Sequence, residues 1–266
     1  MKKHHAKQVI RAVIACSVVL LPLTNSLAAT TNNQTIAEQL CKNYARIKTL
    51  SCEIRKTTKS EGLTIRLLSR VHYQYPDHIH VDNAAPVKRT IIADGQKLYY
   101  YQDGMPLGFS RPVSELSPTW LRSLRNIPAT PIEHLLPLKG IKEDKLPAAS
   151  KDQIRRGYHV KTLYIVLTVD NKMRVDRVEF FKSSQMKTKT AEYTYSKQQE
   201  VLPDCWIPTI HKATLYLPNE KTAHETRIIA NLAVNKTIPS KIFDHQLFMQ
   251  KVKFSDNFAD TYKKAE

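Results

Sequence analysis

Between residues 63 and 75 the side chains alternate. Leu63, Ile65, Leu67, Ser69, Val71, Tyr73 and Tyr75 fall on one side, and Thr64, Arg66, Leu68, Arg70, His72 and Gln74 on the other. A period of two sustained this long describes a strand with one face buried. A slip of one residue would turn the whole apolar row to water, so the register is fixed wherever this strand pairs. A strand of this kind needs partners on both edges and a cover for its apolar face. Residues 90–99 read as a hairpin around Asp94-Gly95, a pair suited to the positive φ angles of a tight turn. A two-residue turn there would set Ala93 opposite Gln96, Ile91 opposite Leu98 and Arg89 opposite Tyr100. Asp103-Gly104 and Asp170-Asn171 are further turn signals, and strands are predicted at 158–169, 173–181, 188–195, 209–217 and 223–234. No linker or internal repeat divides these segments, which predicts one domain built on a large antiparallel sheet.

Three helical segments interrupt the strand pattern. Thr35-Ile36-Ala37-Glu38 is a capping box, followed by an apolar stripe of Ile36, Leu40, Tyr44 and Ile47. Ser117-Pro118 opens a short helix carrying Trp120, Leu121 and Leu124. Thr130-Pro131-Ile132-Glu133 reads as a second capping box, with Leu135 and Leu136 behind it and Gly140 as the stop. Short apolar helices between hairpins of one sheet have only that sheet to pack on, so they are expected to cover one of its faces. A further helix is expected near 241–250, anchored by Phe243 and Leu247. The tail beyond it is expected to be loose apart from Phe254 and Phe258.

The chain has 266 residues and a formal charge of +17, a balance that at first suggests nucleic acid. Lys2, Lys3, Lys7 and Arg11 carry four of those charges and precede an apolar run, Ala12 to Leu23, with small residues at Ser26 and Ala28. This is the pattern of a secretory signal peptide over residues 1–28, cut after Ala28. The remaining cations are scattered over outward strand positions such as Arg66 and Arg70, which points to a solvated surface or to anionic lipid rather than to nucleic acid. Three cysteines remain after cleavage, and Cys41 with Cys52 is a possible disulfide for an oxidising compartment.

The order of these pieces resembles a known family. A short helix, a long strand ending at Tyr75-Pro76 and a hairpin I-I-x-D-G-x-x-L-Y-x-Y over residues 91–101 come first. The helix T-P-I-E-H-L-L at 130–136 and a late segment from Val234 to Phe243 complete the pattern. Together, over roughly residues 35–250, they resemble the periplasmic lipoprotein carriers of the LolA family and the wider outer-membrane lipoprotein-sorting proteins. The family carries a basic residue before the matching proline, where this chain has Tyr75. The stretch 197–208 has no counterpart in the shorter carriers.

The resemblance implies a mainly β fold with short α-helices: a strongly curved antiparallel sheet, an incomplete β-barrel, under a helical lid. It implies one lipid-binding domain over 29–266 and a monomeric periplasmic protein that shuttles acyl chains between membranes. Its partners would be acylated lipoproteins or lipids, an inner-membrane release complex and an outer-membrane acceptor. The residues expected to line the cavity are Leu63, Ile65, Leu67, Val71, Tyr73, Tyr75, Ile91, Leu98, Tyr100, Trp120, Leu121, Leu124, Leu135 and Leu136. An alternative is a periplasmic sensor or regulatory module on the same fold, like the RseB proteins. No enzyme, cofactor or metal is expected: the chain has no GxGxxG, phosphate loop, HExxH or GxSxG. His78 and His80, near His72 and Asp82, share a face with Arg70 and Gln74 and read as solvated.

Overall fold

The computed structural model describes residues 34–262 apart from 149 and 219. The signal segment 1–28 lies outside the described residues. The chain folds as an α-helix, α1 (Ile36–Tyr44), and then a run of strands. These are β1 (Thr49–Ser60), β2 (Leu63–Gln74), β3 (His78–Ala85), β4 (Arg89–Asp94), β5 (Lys97–Gln102) and β6 (Gly108–Pro112). Two short helices follow, α2 (Pro118–Arg125) and α3 (Ile132–Leu135). The second run is β7 (Glu143–Leu146), β8 (Gln153–Val160), β9 (Leu163–Asp170), β10 (Val175–Phe181), β11 (Lys189–Leu202), β12 (Cys205–Tyr216) and β13 (Thr222–Val234). A single helical turn, α4 (His245–Phe248), and a two-residue strand, β14 (Phe254–Ser255), complete it.

All the described strands join one sheet in the order β14-β6-β5-β4-β3-β2-β1-β13-β12-β11-β10-β9-β8-β7. Each half is a meander of antiparallel neighbours, β1 to β6 and β7 to β13. The halves meet where β1 pairs with β13, from Leu50 opposite Val234 to Ser60 opposite Ala223. The sheet ends in β14 at one edge and β7 at the other and does not close on itself. It is the expected mainly β fold: a curved, unclosed antiparallel sheet under short helices.

The alternation of β2 holds as read, and Val71 and Tyr73 sit in the core. The hairpin around Gly95 differs in register. Ala93 pairs with Leu98, Ile91 with Tyr100 and Arg89 with Gln102, two residues beyond the expected pairing. The Asp94 carboxylate explains the longer loop, because its Oδ1 accepts from the amides of both Gln96 (2.9 Å) and Lys97 (2.8 Å). A shift of two keeps every side chain on its expected face. The segment 158–169 is not one strand, since Lys161, at φ +55°, turns the chain between β8 and β9.

At α1 the capping box is formed: Thr35 Oγ1 accepts from Glu38 N, and Glu38 Oε2 accepts from Thr35 N. At α3 it is not. The carboxylate of Glu133 turns to Arg227 on β13 instead (3.4 Å). The stretch 197–208 forms the far ends of β11 and β12 with the turn between them, and that turn docks on α1. Asn43 and Arg46 donate to the carbonyls of Asp204 and Pro203, and Tyr44 to that of Trp206.

Cys41, Cys52 and Cys205 are buried free thiols, so the pairing of Cys41 with Cys52 is not formed. Both fill the same apolar cluster as packing residues. Burial pushes the Cys41 thiol up to about 11 and that of Cys52 up to about 12, which keeps them protonated and unreactive.

The C-terminal segment is docked along its described length. Phe243 and Met249 are buried, Phe254 runs parallel to β6, and Phe258 packs against Tyr100, Phe109 and Trp120. The helix expected over 241–250 is reduced to a 3-10 turn at Ser240–Phe243 and the single turn α4. Phe243 anchors it as expected. Leu247 does not, being 51% exposed. The segment crosses the outer face of β3 to β5, so the His78–His80 face is covered rather than solvated. His80 is only 5% exposed and hydrogen-bonds through Nδ1 to the carbonyl of Ile242 (2.8 Å).

Candidate ligand-binding site

The inner face of the sheet is built by alternate residues of each strand. Cross-strand register places His211 opposite Arg227, Arg227 opposite Lys56 and Lys56 opposite Leu67. Ser69 lies opposite Asn83, Asn83 opposite Arg89 and Arg89 opposite Gln102. These residues form a polar girdle that crosses the concave face from β12 to β5 with one apolar break at Leu67. It divides the face into two storeys.

The deep storey is apolar and covered. Under α1 and α3, Leu50, Cys52, Val71 and Tyr73 pack with Leu135, Ile132 and Leu40, and Leu136 packs at their edge. Under α2, Leu98, Tyr100 and Phe109 pack with Leu124, and Ile91, Trp120 and Leu121 adjoin them. The amphipathic stripe on each short helix leads it here, because it has no other apolar surface to cover. Val71, Tyr73, Leu135 and Leu136 of the predicted lining therefore meet in one cluster. Ile91, Leu98, Tyr100, Trp120, Leu121 and Leu124 meet in another.

The shallow storey is open. Leu63 is 45% exposed, and Ile65 and Leu67 are half-buried at the mouth, outside both clusters. Tyr75 lies beyond the end of β2, 55% exposed, with the Lys48 ammonium 4.6 Å from its ring centre. It belongs to neither storey. Exposed aromatics commonly sit against a cation in this way, and nothing in the alternation of β2 distinguishes Tyr75 from its buried neighbours.

The girdle supplies the charge. Arg227 pairs with Glu225 (2.5 Å) on its own strand and with Glu133 on α3, and Lys56 pairs with Glu225 (2.6 Å). Burial works against the charges of Arg227, Glu133 and Glu225. The two carboxylates outweigh it for the guanidinium and hold it above its usual range, while His134 and Arg227 hold the Glu133 carboxyl below its own, and Arg227 and Lys56 that of Glu225. His134 and His211 beside them are pushed down by burial, His211 to about 4, and Arg227 adds to the effect. Both imidazoles are thus neutral at pH 7. The space among Glu133, His134, Tyr195, His211 and Arg227 is about 10 Å³, about the least that holds one water.

Sequence reasoning missed the girdle. Lys56, Glu225, Arg227 and His211 lie in strands whose polar residues read as outward, and only pairing with β2 shows that they face in. The one available signal was Ser69, a polar residue in an otherwise apolar row. Its Oγ lies 2.5 Å from the side-chain amide of Asn83. Tyr73 is fully buried in the deep storey, and among the described residues its hydroxyl has no hydrogen-bond partner. Burial pushes its pKa up to about 12, so it remains a neutral donor.

No family model matches the chain, and no curated protein matches it. Solved structures do. A DUF1329 family protein from Desulfovibrio piger superposes with a TM-score of 0.52 at 11% identity, over 80% of this chain and 95% of that one. A domain described as an outer membrane lipoprotein-sorting protein, from Vibrio parahaemolyticus, gives 0.51 at 11% identity, over 79% and 98%. A LolA superfamily protein from Nitrosomonas europaea gives 0.48 at 13% identity, over 78% and 97%. The first two carry the comparison. They show that this chain shares the fold of those two proteins, the curved, unclosed sheet under short helices expected from its sequence.

Proposed function

We propose that this protein is a periplasmic carrier that takes acyl chains of lipoproteins or lipids onto its concave face, beneath α2 and α3. It moves them between membranes by reversible lid opening, with no covalent step. The observation that carries the reading is the Tyr73 hydroxyl. A buried hydroxyl without a partner costs about 1–3 kcal/mol, and the ring that carries this one packs in the apolar cluster under α1 and α3. A ligand with an apolar tail and an ester or amide carbonyl would fill the opened space and accept a hydrogen bond from that hydroxyl. Leu63, Ile65 and Leu67 offer a tail its first contact at the mouth, and the girdle lies between mouth and core.

Lid opening has polar ties to break on both helices: on α2, Arg125 donates to both carboxylate oxygens of Asp77 in the turn after β2 (2.7 and 3.2 Å). Apart from apolar packing, α3 is tied to the sheet by the Glu133–Arg227 pair, and the two keep about a third of their side-chain surface open, so solvent reaches the pair. An acyl chain leaving water contributes about 0.8 kcal/mol per methylene, enough over one long chain to replace the lid contacts it displaces. The export pattern of residues 1–28 supports the periplasm as the site of action. Loading and unloading imply membrane partners, an inner-membrane donor and an outer-membrane acceptor.

The test is native mass spectrometry of the protein recovered from a periplasmic extract. The expected result is a co-purifying acylated species, with binding of an ester-linked lipid weakened about tenfold in Tyr73→Phe. The fold should remain intact in that variant, because the lost hydroxyl has no partner in the empty protein. Consistently empty protein that takes up no lipid on titration would overturn the reading.

A further inference from the structure

Leu247, expected to anchor the C-terminal helix, stands in solvent instead. The turn α4 presents Leu247 and Phe248 side by side, 51% and 47% exposed. They are not on a frayed end. Phe243 and Met249 on either side are buried, Tyr99 stacks on His245 at 3.7 Å, and the Phe248 ring meets His80 edge-on at 4.4 Å. The segment is clamped to the sheet from below, while Leu247 stands in solvent and Phe248 rests one edge on His80 and leaves nearly half of its surface open.

Cations outnumber acids around this pair, the acids being Asp244 in the segment, Asp94 on the sheet beside it and the exposed Asp256 beyond Lys253. Lys236, Lys241, Lys251 and Lys253 are exposed, and among the described residues none of them is paired with a carboxylate. The turn that closes with Val252 N on the Met249 carbonyl places Lys251 just beyond the helix. The acid within the segment is Asp244, whose carboxylate is occupied in accepting from Gln246 N (2.9 Å). Asp82, the acid nearest His80 on the sheet beneath, accepts from Thr90.

We propose that α4 and its flanking lysines dock this protein on an anionic membrane surface. Leu247 and Phe248 enter the boundary between head groups and acyl chains, and the lysines lie among the head-group phosphates. Two apolar side chains alone give a weak, reversible hold, and each lysine at an anionic surface adds to it. Such a hold suits repeated landing and release. An acidic protein partner would use the lysines but would not require insertion of the apolar pair. The inference is independent of the carrier reading, because the patch lies on the outer face of the sheet and leaves the concave face free.

Co-sedimentation with vesicles tests it. The full-length mature protein is expected to bind phosphatidylglycerol vesicles, to bind phosphatidylcholine vesicles far more weakly, and to lose binding steeply as salt rises. Lys241→Gln and Lys251→Gln should each weaken binding about fivefold. Leu247→Ser should weaken it by a similar factor, without loss of thermal stability, since this side chain supports no core. Phe248→Ser repeats the apolar test at a position that also touches His80. No binding to phosphatidylglycerol vesicles overturns the proposal, and so does binding that Leu247→Ser leaves unchanged. A protein that carries no lipid in its concave face but binds vesicles through α4 would separate this inference from the carrier reading.

Discussion

His211 sits on the inner face of β12, 8% exposed, with Nε2 hydrogen-bonded to the Pro208 carbonyl (2.9 Å) and its ring against Tyr195. Burial and the neighbouring Arg227 hold its pKa near 4, against an ordinary value of 6.5. Between those two values the unfolded chain binds a proton that the folded chain refuses. Stability is therefore complete above pH 6.5 and is lost as pH falls toward 4. The loss attributable to this one group is on the order of 3 kcal/mol. Glu133 and Glu225 act in the same direction at lower pH. Their folded carboxyls are depressed, so their contribution is present above about 4.5 and disappears as pH drops through their folded values. Urea melts of the wild type should show stability declining from pH 6.5 to 4, and His211→Gln should flatten that slope by close to one proton. An unchanged slope would mean that this imidazole titrates freely in the fold. His211 was invisible as a site residue in the sequence because its neighbours along the chain are unremarkable; its charged company comes from β13 and α3.

At the scale of elements, local chemistry was legible wherever the partners lie close in sequence. The capping box at Thr35, the N-cap at Ser117 and the stop at Gly140 are all in place. The pattern failed where a distant element competed for the same group. Glu133 completes a capping box on paper, but a guanidinium is a stronger partner for a carboxylate than a backbone amide, and Arg227 lies within reach only in the fold. The hairpin register failed for a nearer reason, since Asp94 binds two amides and lengthens the loop. The docking of β14 depends on a position with no local signature. Gly108 donates its amide to the Lys253 carbonyl (2.8 Å), and a Cβ there would meet the Phe254 ring at 2.6 Å and Val252 at 2.8 Å. Gly108→Ala should therefore push Phe254 off β6, at a cost of about 1–3 kcal/mol. Limited proteolysis should then cut between residues 250 and 262 well before the sheet is attacked. Equal resistance in wild type and variant would show that the segment is held by other contacts.

For the whole molecule, fold class was readable because alternation, turn residues and capping motifs all point to one sheet with helices over one face. The two storeys of that face were not readable, because they arise from which residues of seven strands fall in line across the sheet. The joining of the halves has the same character. Every other antiparallel neighbour in the sheet follows its partner directly in the chain, so each can zip from a turn. The β1–β13 pairing alone joins Leu50 to Val234, and it is the central seam. Closing a loop of that length delays the contact, since the chain must be confined before the pairing stabilises it. Until residues 222–234 arrive, β1 has an open edge with unpaired amides and carbonyls beside the apolar row of β2, a surface prone to pair with another chain. A chain ending before residue 222 is accordingly expected to aggregate rather than to fold as a smaller version of the same sheet, a difference that gel filtration of the truncated protein would display. Assembly order is thus written into strand order: the last long strand to be made is the one that turns two half-sheets into a single curved wall.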